Sequence, residues 1–294
     1  MVKKNNGFTI KEALVYGRDM LTDVCENSLL DCYTLLEYTL SCDRIYITVH
    51  SNDKLTEEQT AKFFECLNRR KNNEPVSYIT GKKEFMSLEF KVNKNVLIPR
   101  PETEMLAEFV TDYVNSINSA LPVEILDICT GSGAIAVSVK HYLKEKANVT
   151  ALDISDKALD TAKENALYNN VRVEFLKADA LKPLKLNKMF DIIVSNPPYI
   201  ENNVIPTLEK DVKNFEPHIA LDGGYDGLNF YRAICRNSDC CFKSGAVAVF
   251  EIGYNQGKTV SDILKEKFCN IKVHKDLFGN DRMVTAVKKG VLNA

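Results

Sequence analysis

No run of about 18 apolar residues occurs in this 294-residue chain, and residues 1–7 are polar and lysine-bearing with no apolar segment behind them. Neither a membrane span nor a signal peptide is expected. An excess of one charge is also missing. The 38 Lys and Arg face 40 Asp and Glu, a formal net charge of −2, which gives no general pull toward nucleic acid. None of the nine cysteines is set in C-x-x-C spacing, and Cys240-Cys241 is the only close pair. Free thiols in a reducing cytosol are therefore expected, not a disulfide framework or a zinc site. Tryptophan is absent, and no internal repeat or low-complexity segment is found. The length suffices for two separate cores.

Residues 8–72 carry helical periodicity. Thr9 is placed to cap a stretch with Ile10, Ala13, Leu14, Met20 and Leu21 on one face. Residues 27–42 repeat the pattern with Leu29, Leu30, Leu35, Leu36 and Leu40. Thr56, followed by Glu57 and Glu58, opens a third helix bearing Ala61, Phe63, Phe64 and Leu67. The basic stretch Arg69-Arg70-Lys71 reads as a solvated helix end. A helical bundle over 1–76 follows, then a β-hairpin over 77–98 drawn from the runs 85–92 and 96–98. From 99 onward Pro99-Arg100-Pro101-Glu102-Thr103-Glu104 opens a helix, with proline in its first turn and acids at the positive dipole end. Strand-like runs at 123–128, 149–153, 171–176, 190–195, 246–252 and 284–287 then alternate with helical ones. That alternation predicts a doubly wound α/β sheet over 99–294.

The most informative run is Phe190-Asp191-Ile192-Ile193-Val194-Ser195-Asn196-Pro197-Pro198-Tyr199. Its apolar, β-branched part reads as a buried parallel strand, and the two prolines end it because neither can donate to a ladder. Asn196 and the neighbouring carbonyls are left at the carboxyl edge of the sheet, where open α/β folds bind ligands. Acceptors beside the Tyr199 ring suit a planar amide or amine with N–H donors. Upstream, Asp127-Ile128-Cys129-Thr130-Gly131-Ser132-Gly133-Ala134 joins a strand to a helix. Its glycines allow a tight turn, and the helix start offers N–H donors. The next strand ends at Asp153, followed by Ile154, and a carboxylate there can accept both ribose hydroxyls. The strand after it leads to Asp179 and Ala180, with Asp179 placed to accept from an adenine amino group. Capping of the following helices is the plain alternative for both acids. NAD fits less well, because the full dinucleotide fingerprint is missing and Asn-Pro-Pro-Tyr would have no role.

Acids at the ends of three strands and a glycine loop after the first resemble the Rossmann-like methyltransferases that use S-adenosylmethionine. Asn196-Pro197-Pro198-Tyr199 resembles the tetrapeptide of those that modify planar sp² nitrogens. Over nearly the whole chain the sequence is similar to the HemK/PrmC family. The likeness runs through Glu74-Pro75-Val76-Ser77-Tyr78-Ile79-Thr80-Gly81, Leu97-Ile98-Pro99-Arg100-Pro101-Glu102-Thr103-Glu104, the glycine loop and the tetrapeptide. It continues in Glu216-Pro217, 220–228, Glu251-Ile252-Gly253 and Gly279-Asn280-Asp281-Arg282. The resemblance implies a seven-stranded, mostly parallel sheet and S-adenosylmethionine as methyl donor. The acceptor it implies is the glutamine amide in the Gly-Gly-Gln motif of peptide chain release factors. Asn196, Pro197 and Tyr199 would then be catalytic. Cofactor would be held by Asp127, Cys129, Thr130, Gly131, Ser132, Gly133, Asp153, Ile154, Asp179, Ala180 and Asn196. Substrate would meet Asn196, Pro197, Pro198, Tyr199, Arg100, Glu102 and Thr103, with residues 1–76 recognising the release factor.

Three departures stand out. Cys129 replaces a usual glycine, Ala180 stands where an aromatic often packs on adenine, and Phe85-Met86 replaces Phe-Trp. Glutamine methylation of a ribosomal protein and methylation of the adenine amine in DNA are the alternative activities. A ribosome-associated binding protein with a relic cofactor fold is the non-enzymatic one. An adenine methyltransferase must neutralise phosphates and extract a base, and no basic stripe or DNA-reading module is visible. His218 is expected to be solvated, and Gly223, Gly224 and Gly227 to lie in a turn. A cytoplasmic monomer, without metal or direct contact to nucleic acid, is expected.

Overall fold

The computed structural model describes residues 7–117 and 119–290; the polar start, residues 1–6, lies outside them. The chain divides into two compact units, Met1–Gly81 with Glu209–Phe215, and Lys82–Leu208 with Glu216–Ala294.

In the first unit, α1 (Ile10–Leu21), α2 (Ser28–Leu40), α3 (Arg44–Val49), α4 (Glu57–Lys71) and α5 (Val76–Thr80) pack around Leu21, Leu35, Leu36, Ile47, Phe63 and Leu67. The Thr9 hydroxyl accepts from the Glu12 N–H while the Glu12 carboxylate accepts from the Thr9 N–H, a reciprocal cap that fixes where α1 starts. Thr56 and Gln59 repeat the device at α4. The short helices α3 and α5 carry too few turns to show a period. The basic stretch at the end of α4 differs from its sequence reading. Arg70 is buried, and its guanidinium donates to Asp31 at 2.7 Å and to the Glu74 carbonyl at 3.3 Å, with Asp211 3.8 Å away. Arg69 grips the Glu74 carboxylate with two bonds of 2.8 and 2.6 Å. Only Lys71 is exposed to solvent.

The second unit opens with a hairpin, β1 (Lys82–Phe85) and β2 (Leu88–Lys91). Its turn is Met86-Ser87, both at positive φ (52° and 55°), inside a stretch that reads as one strand because the usual Asn-Gly signal is missing. Glu104 accepts the Met86 N–H, and the Tyr142 hydroxyl donates to the Met86 carbonyl. Then come α6 (Glu104–Ser116), β3 (Val123–Ile128), α7 (Ala134–Leu143), β4 (Ala147–Asp153), α8 (Asp156–Tyr168), β5 (Glu174–Lys177) and β6 (Phe190–Ser195). Helix α9 (Lys210–Phe215) belongs to the first unit. The chain continues with α10 (Asn229–Asn237), β7 (Phe242–Glu251), α11 (Gly257–Leu264), β8 (Phe268–Lys275) and β9 (Asp281–Lys288).

The seven strands are ordered β5-β4-β3-β6-β7-β9-β8, and β9 alone runs opposite to the other six. Successive residues of β3 face opposite cores. Ile125 packs with Leu106, Val110 and Val137, whereas Leu126 packs with Tyr231, Ile234 and Val260. The strand read at 171–176 shifts, that read at 246–252 starts earlier, at Phe242, and β8 is not among the strands read from sequence. Val171 is taken by the end of α8, where its N–H bonds to Ala166, so β5 begins only at Glu174. Strand β8 shows no apolar run because, after Phe268, it is mostly exposed at the sheet edge.

Gly133 sits where α7 meets α8. At φ +81° an added Cβ would lie 3.0 Å from the Ala162 Cβ. Gly133→Ala should cost about 1–3 kcal/mol, read as a lower denaturant midpoint. Gly131→Ala, at φ +56° with nothing within 4 Å, should cost about 1 kcal/mol. Equal losses for the two would remove the packing argument.

Candidate active site

The carboxyl ends of β3, β4, β5 and β6 share one rim of the sheet, because these four strands are parallel. Asp127 lies under the loop after β3, fully buried. Its Oδ2 accepts from the Thr130 hydroxyl at 2.6 Å, and the Ala136 N–H at the start of α7 also favours its charge. Burial pushes its pKa up to about 7. Cys129 adopts φ +62°, the left-handed region that glycine enters without strain, so the backbone demands what the usual family residue supplies. Burial and the carboxylates of Asp153, Asp127 and Asp179 hold its thiol protonated. The Thr130 N–H bonds to the Leu152 carbonyl and the Gly131 N–H to Asp153 Oδ2 at 2.9 Å, tying the loop to the end of β4. Asp153 Oδ1 accepts from the Ser155 N–H at 2.9 Å, and burial raises the carboxyl pKa. The Ile154 N–H also favours this carboxylate, which retains acceptor capacity for a hydroxyl donor. Asp179 accepts from the Leu181 N–H and lies 3.1 Å from Lys182 Nζ.

A cavity of about 200 Å³ opens at this rim. Of the residues singled out from sequence, Cys129, Thr130, Gly131, Ser132, Asp153 and Ile154 form one wall, with Asp179 and Ala180 beyond them. Asn196, Pro198, Arg100 and Thr103 close the other side. Asp127, Gly133, Glu102, Pro197 and Tyr199 are not on its wall. These walls fit an adenosine-bearing cofactor. Asp153 would accept from ribose hydroxyls, and Ile154, Ala180, Leu181 and Phe230 add apolar surface to the lining that includes Asp179.

Asn196 is half-buried just past β6, and its Nδ2 donates to the Thr103 hydroxyl at 3.1 Å. Thr103 donates in turn to Glu251 Oε2 at 2.6 Å. The Tyr199 hydroxyl donates to Glu251 Oε1 at 3.3 Å. Burial and the Glu251 charge raise its pKa. The glycine turn packs directly behind the tetrapeptide. A Cβ on Gly223 would lie 2.7 Å from the Tyr199 Cα, and one on Gly227 would lie 2.3 Å from the Tyr199 carbonyl oxygen. Arg100 reaches the cavity while ion-paired to buried Glu216, whose other oxygen accepts from the Ile98 N–H at 3.1 Å. His218 is exposed, with Asp222 3.9 Å away. Glu216 and Glu251 were not assigned to the site from sequence. Glu251 had a usable signal, an acid closing an apolar strand on this same rim; Glu216 had none apart from the family likeness.

Among the described residues no helix is long and apolar enough to cross a membrane, and no cluster of His, Cys, Asp or Glu could hold a metal ion. One reversed strand beside the sheet edge, with a glycine loop and strand-end acids around a cavity, is the arrangement of the S-adenosylmethionine-dependent methyltransferases. Solved structures share the fold. The hMettl16 catalytic domain, in complex with a MAT2A 3′UTR hairpin, matches with TM-score 0.54 at 16% identity, covering 80% of this chain and 82% of that one. A methyltransferase from Pyrococcus furiosus matches with TM-score 0.50 at 17% identity, covering 69% and 90%. In sequence, the PrmC N-terminal domain matches residues 12–81 and the methyltransferase small domain residues 110–211. The chain belongs to the release factor glutamine methyltransferase family. It is 42% identical to the member from Clostridium acetobutylicum over 96% of this chain and 99% of that protein. The Clostridium botulinum member is 41% identical over 95% and 99%, and the Flavobacterium psychrophilum member 40% identical over 86% and 89%.

Proposed function

We propose that this enzyme transfers the methyl group of S-adenosylmethionine to the side-chain amide nitrogen of the glutamine in the Gly-Gly-Gln motif of peptide chain release factors. The observation that carries this reading is the Asn196 carboxamide. Its nitrogen is committed to Thr103, which leaves Oδ1 as an acceptor at the cavity. An amide nitrogen is a weak nucleophile because its lone pair is delocalised into the carbonyl. Asn196 Oδ1 and the Pro197 backbone carbonyl accept its two N–H bonds, which fixes the nitrogen and localises its lone pair. S-adenosylmethionine supplies an activated methyl on a sulfonium. The methylated amide loses its extra proton to solvent readily, so no strong base is required. Asp153 holds the ribose, Asp179 the adenine amine, and Ile154 and Ala180 the apolar faces. The loop Cys129, Thr130, Gly131, Ser132 and Gly133, stiffened by Asp127, holds the methionine end. Pro198 with Arg100, Glu102 and Thr103 borders the substrate peptide.

The helical unit recognises the release factor, a role supported by the exposure of Ile45 and Val49 on α3. The near-neutral charge favours a protein substrate over nucleic acid, and the enzyme acts as a cytoplasmic monomer. The test offers labelled S-adenosylmethionine with purified release factor, ribosomal proteins and duplex DNA separately. Label in the Gly-Gly-Gln peptide of the release factor is expected. Label confined to DNA or to ribosomal protein would overturn the reading.

A further inference from the structure

Glu251 ends β7, one strand over from Asn196, and is almost wholly buried. Its two oxygens accept from Thr103 and Tyr199, and its backbone carbonyl accepts from the Tyr231 hydroxyl at 2.8 Å. An ionised carboxylate can only accept. Thr103 has a single hydroxyl proton, and Glu251 takes it, so the Thr103 oxygen can meet Asn196 only with a lone pair. The nitrogen end of the Asn196 carboxamide must then face Thr103, and the oxygen end must face away. In the opposite polarity Thr103 would donate to Asn196 Oδ1, and the Asn196 NH₂ would confront the N–H donors of the substrate.

We propose that Glu251 is a positioning residue that sets the direction of the Glu251–Thr103–Asn196 hydrogen-bond chain, and so keeps an acceptor presented to the substrate nitrogen. The inference rests on the acceptor role given to Asn196 above. Glu251 never touches substrate. The groups facing its carboxyl are Thr103, Tyr199, Arg282 and Glu102. Burial opposes the charge and raises the pKa to about 7, with Glu102 adding to it, while the Thr103 bond, Arg282 and the Tyr199 bond favour the charge. Below that pH the carboxyl carries a proton and can donate to Thr103, and the polarity of the chain is no longer fixed. Activity is therefore complete about one unit above pH 7, falls by about half near pH 7, and levels off at about one-tenth below it, the level expected of a neutral side chain at this position.

Two measurements decide the matter. The first follows the Asn196 side-chain amide signals of the ¹⁵N-labelled full-length protein against pH. They should titrate with a midpoint near 7 in the wild type and stay flat in Glu251→Gln. Signals that do not titrate, or that titrate equally in the variant, overturn the proposal. The second is kcat on a release factor. Glu251→Gln should lower it about tenfold and erase the acid limb, leaving the Kd for S-adenosylmethionine within about twofold. Thr103→Val should lower kcat comparably, and Thr103→Ser, which restores the hydroxyl, should recover most of that loss. Loss of cofactor affinity in step with kcat, or an unchanged acid limb in Glu251→Gln, marks a merely structural role and sinks the idea. A wild-type enzyme inactive on release factor would defeat the function proposed above, while the amide titration would still decide the role of Glu251.

Discussion

Asn196→Ala should lower kcat by about a hundredfold or more, while the Kd for S-adenosylmethionine changes by less than about threefold. The expectation separates two jobs that one cavity performs. The wall lined by Asp153 and Asp179 is built from β3, β4 and the segment after β5, and none of its hydrogen bonds among the described residues runs through Asn196. The Asn196 side chain is bonded only to Thr103 among the described residues, on the opposite wall. Removing it deletes an acceptor needed when the amide nitrogen must be aligned, and leaves the ribose and adenine surfaces standing. Isothermal titration with the cofactor, run beside single-turnover methylation, reads both quantities. A large loss of cofactor affinity with little change in turnover would remove Asn196 from its assigned place.

The second large effect has the opposite signature. Asp153→Ala should weaken S-adenosylmethionine binding by about tenfold to a hundredfold, the range for losing hydrogen bonds to a charged group. Two causes add. The carboxylate offers its remaining lone pairs to hydroxyl donors, and it holds the Gly131 and Ser155 N–H groups that shape the loop and start α8. At saturating cofactor, much of kcat should return. An affinity equal to that of the wild type would show that this acid only holds the Gly131 and Ser155 N–H groups.

The features legible in sequence were local. An apolar, β-branched run halted by Asn-Pro-Pro identifies β6, because strand, stop and acceptor lie within ten consecutive residues. Thr9 and Thr56 mark helix starts through partners three positions away. Distance along the chain decided what stayed hidden. Arg70 reads as a solvated end because Asp31, its partner, lies 39 residues away. Glu251 reads as one more strand-end acid because Thr103 is 148 residues away. The Met86-Ser87 turn was hidden for another reason: it takes a backbone shape that its side chains do not advertise.

The order β7-β9-β8 has a consequence for biosynthesis. Strand β8 leaves the ribosome before β9, yet its only neighbour in the sheet is β9, so it waits without a ladder until the later strand slots in beside β7. Arg282, near the start of β9, also supplies the positive charge that favours ionised Glu251. The charge balance behind Asn196 is therefore completed only when the closing strand is in place.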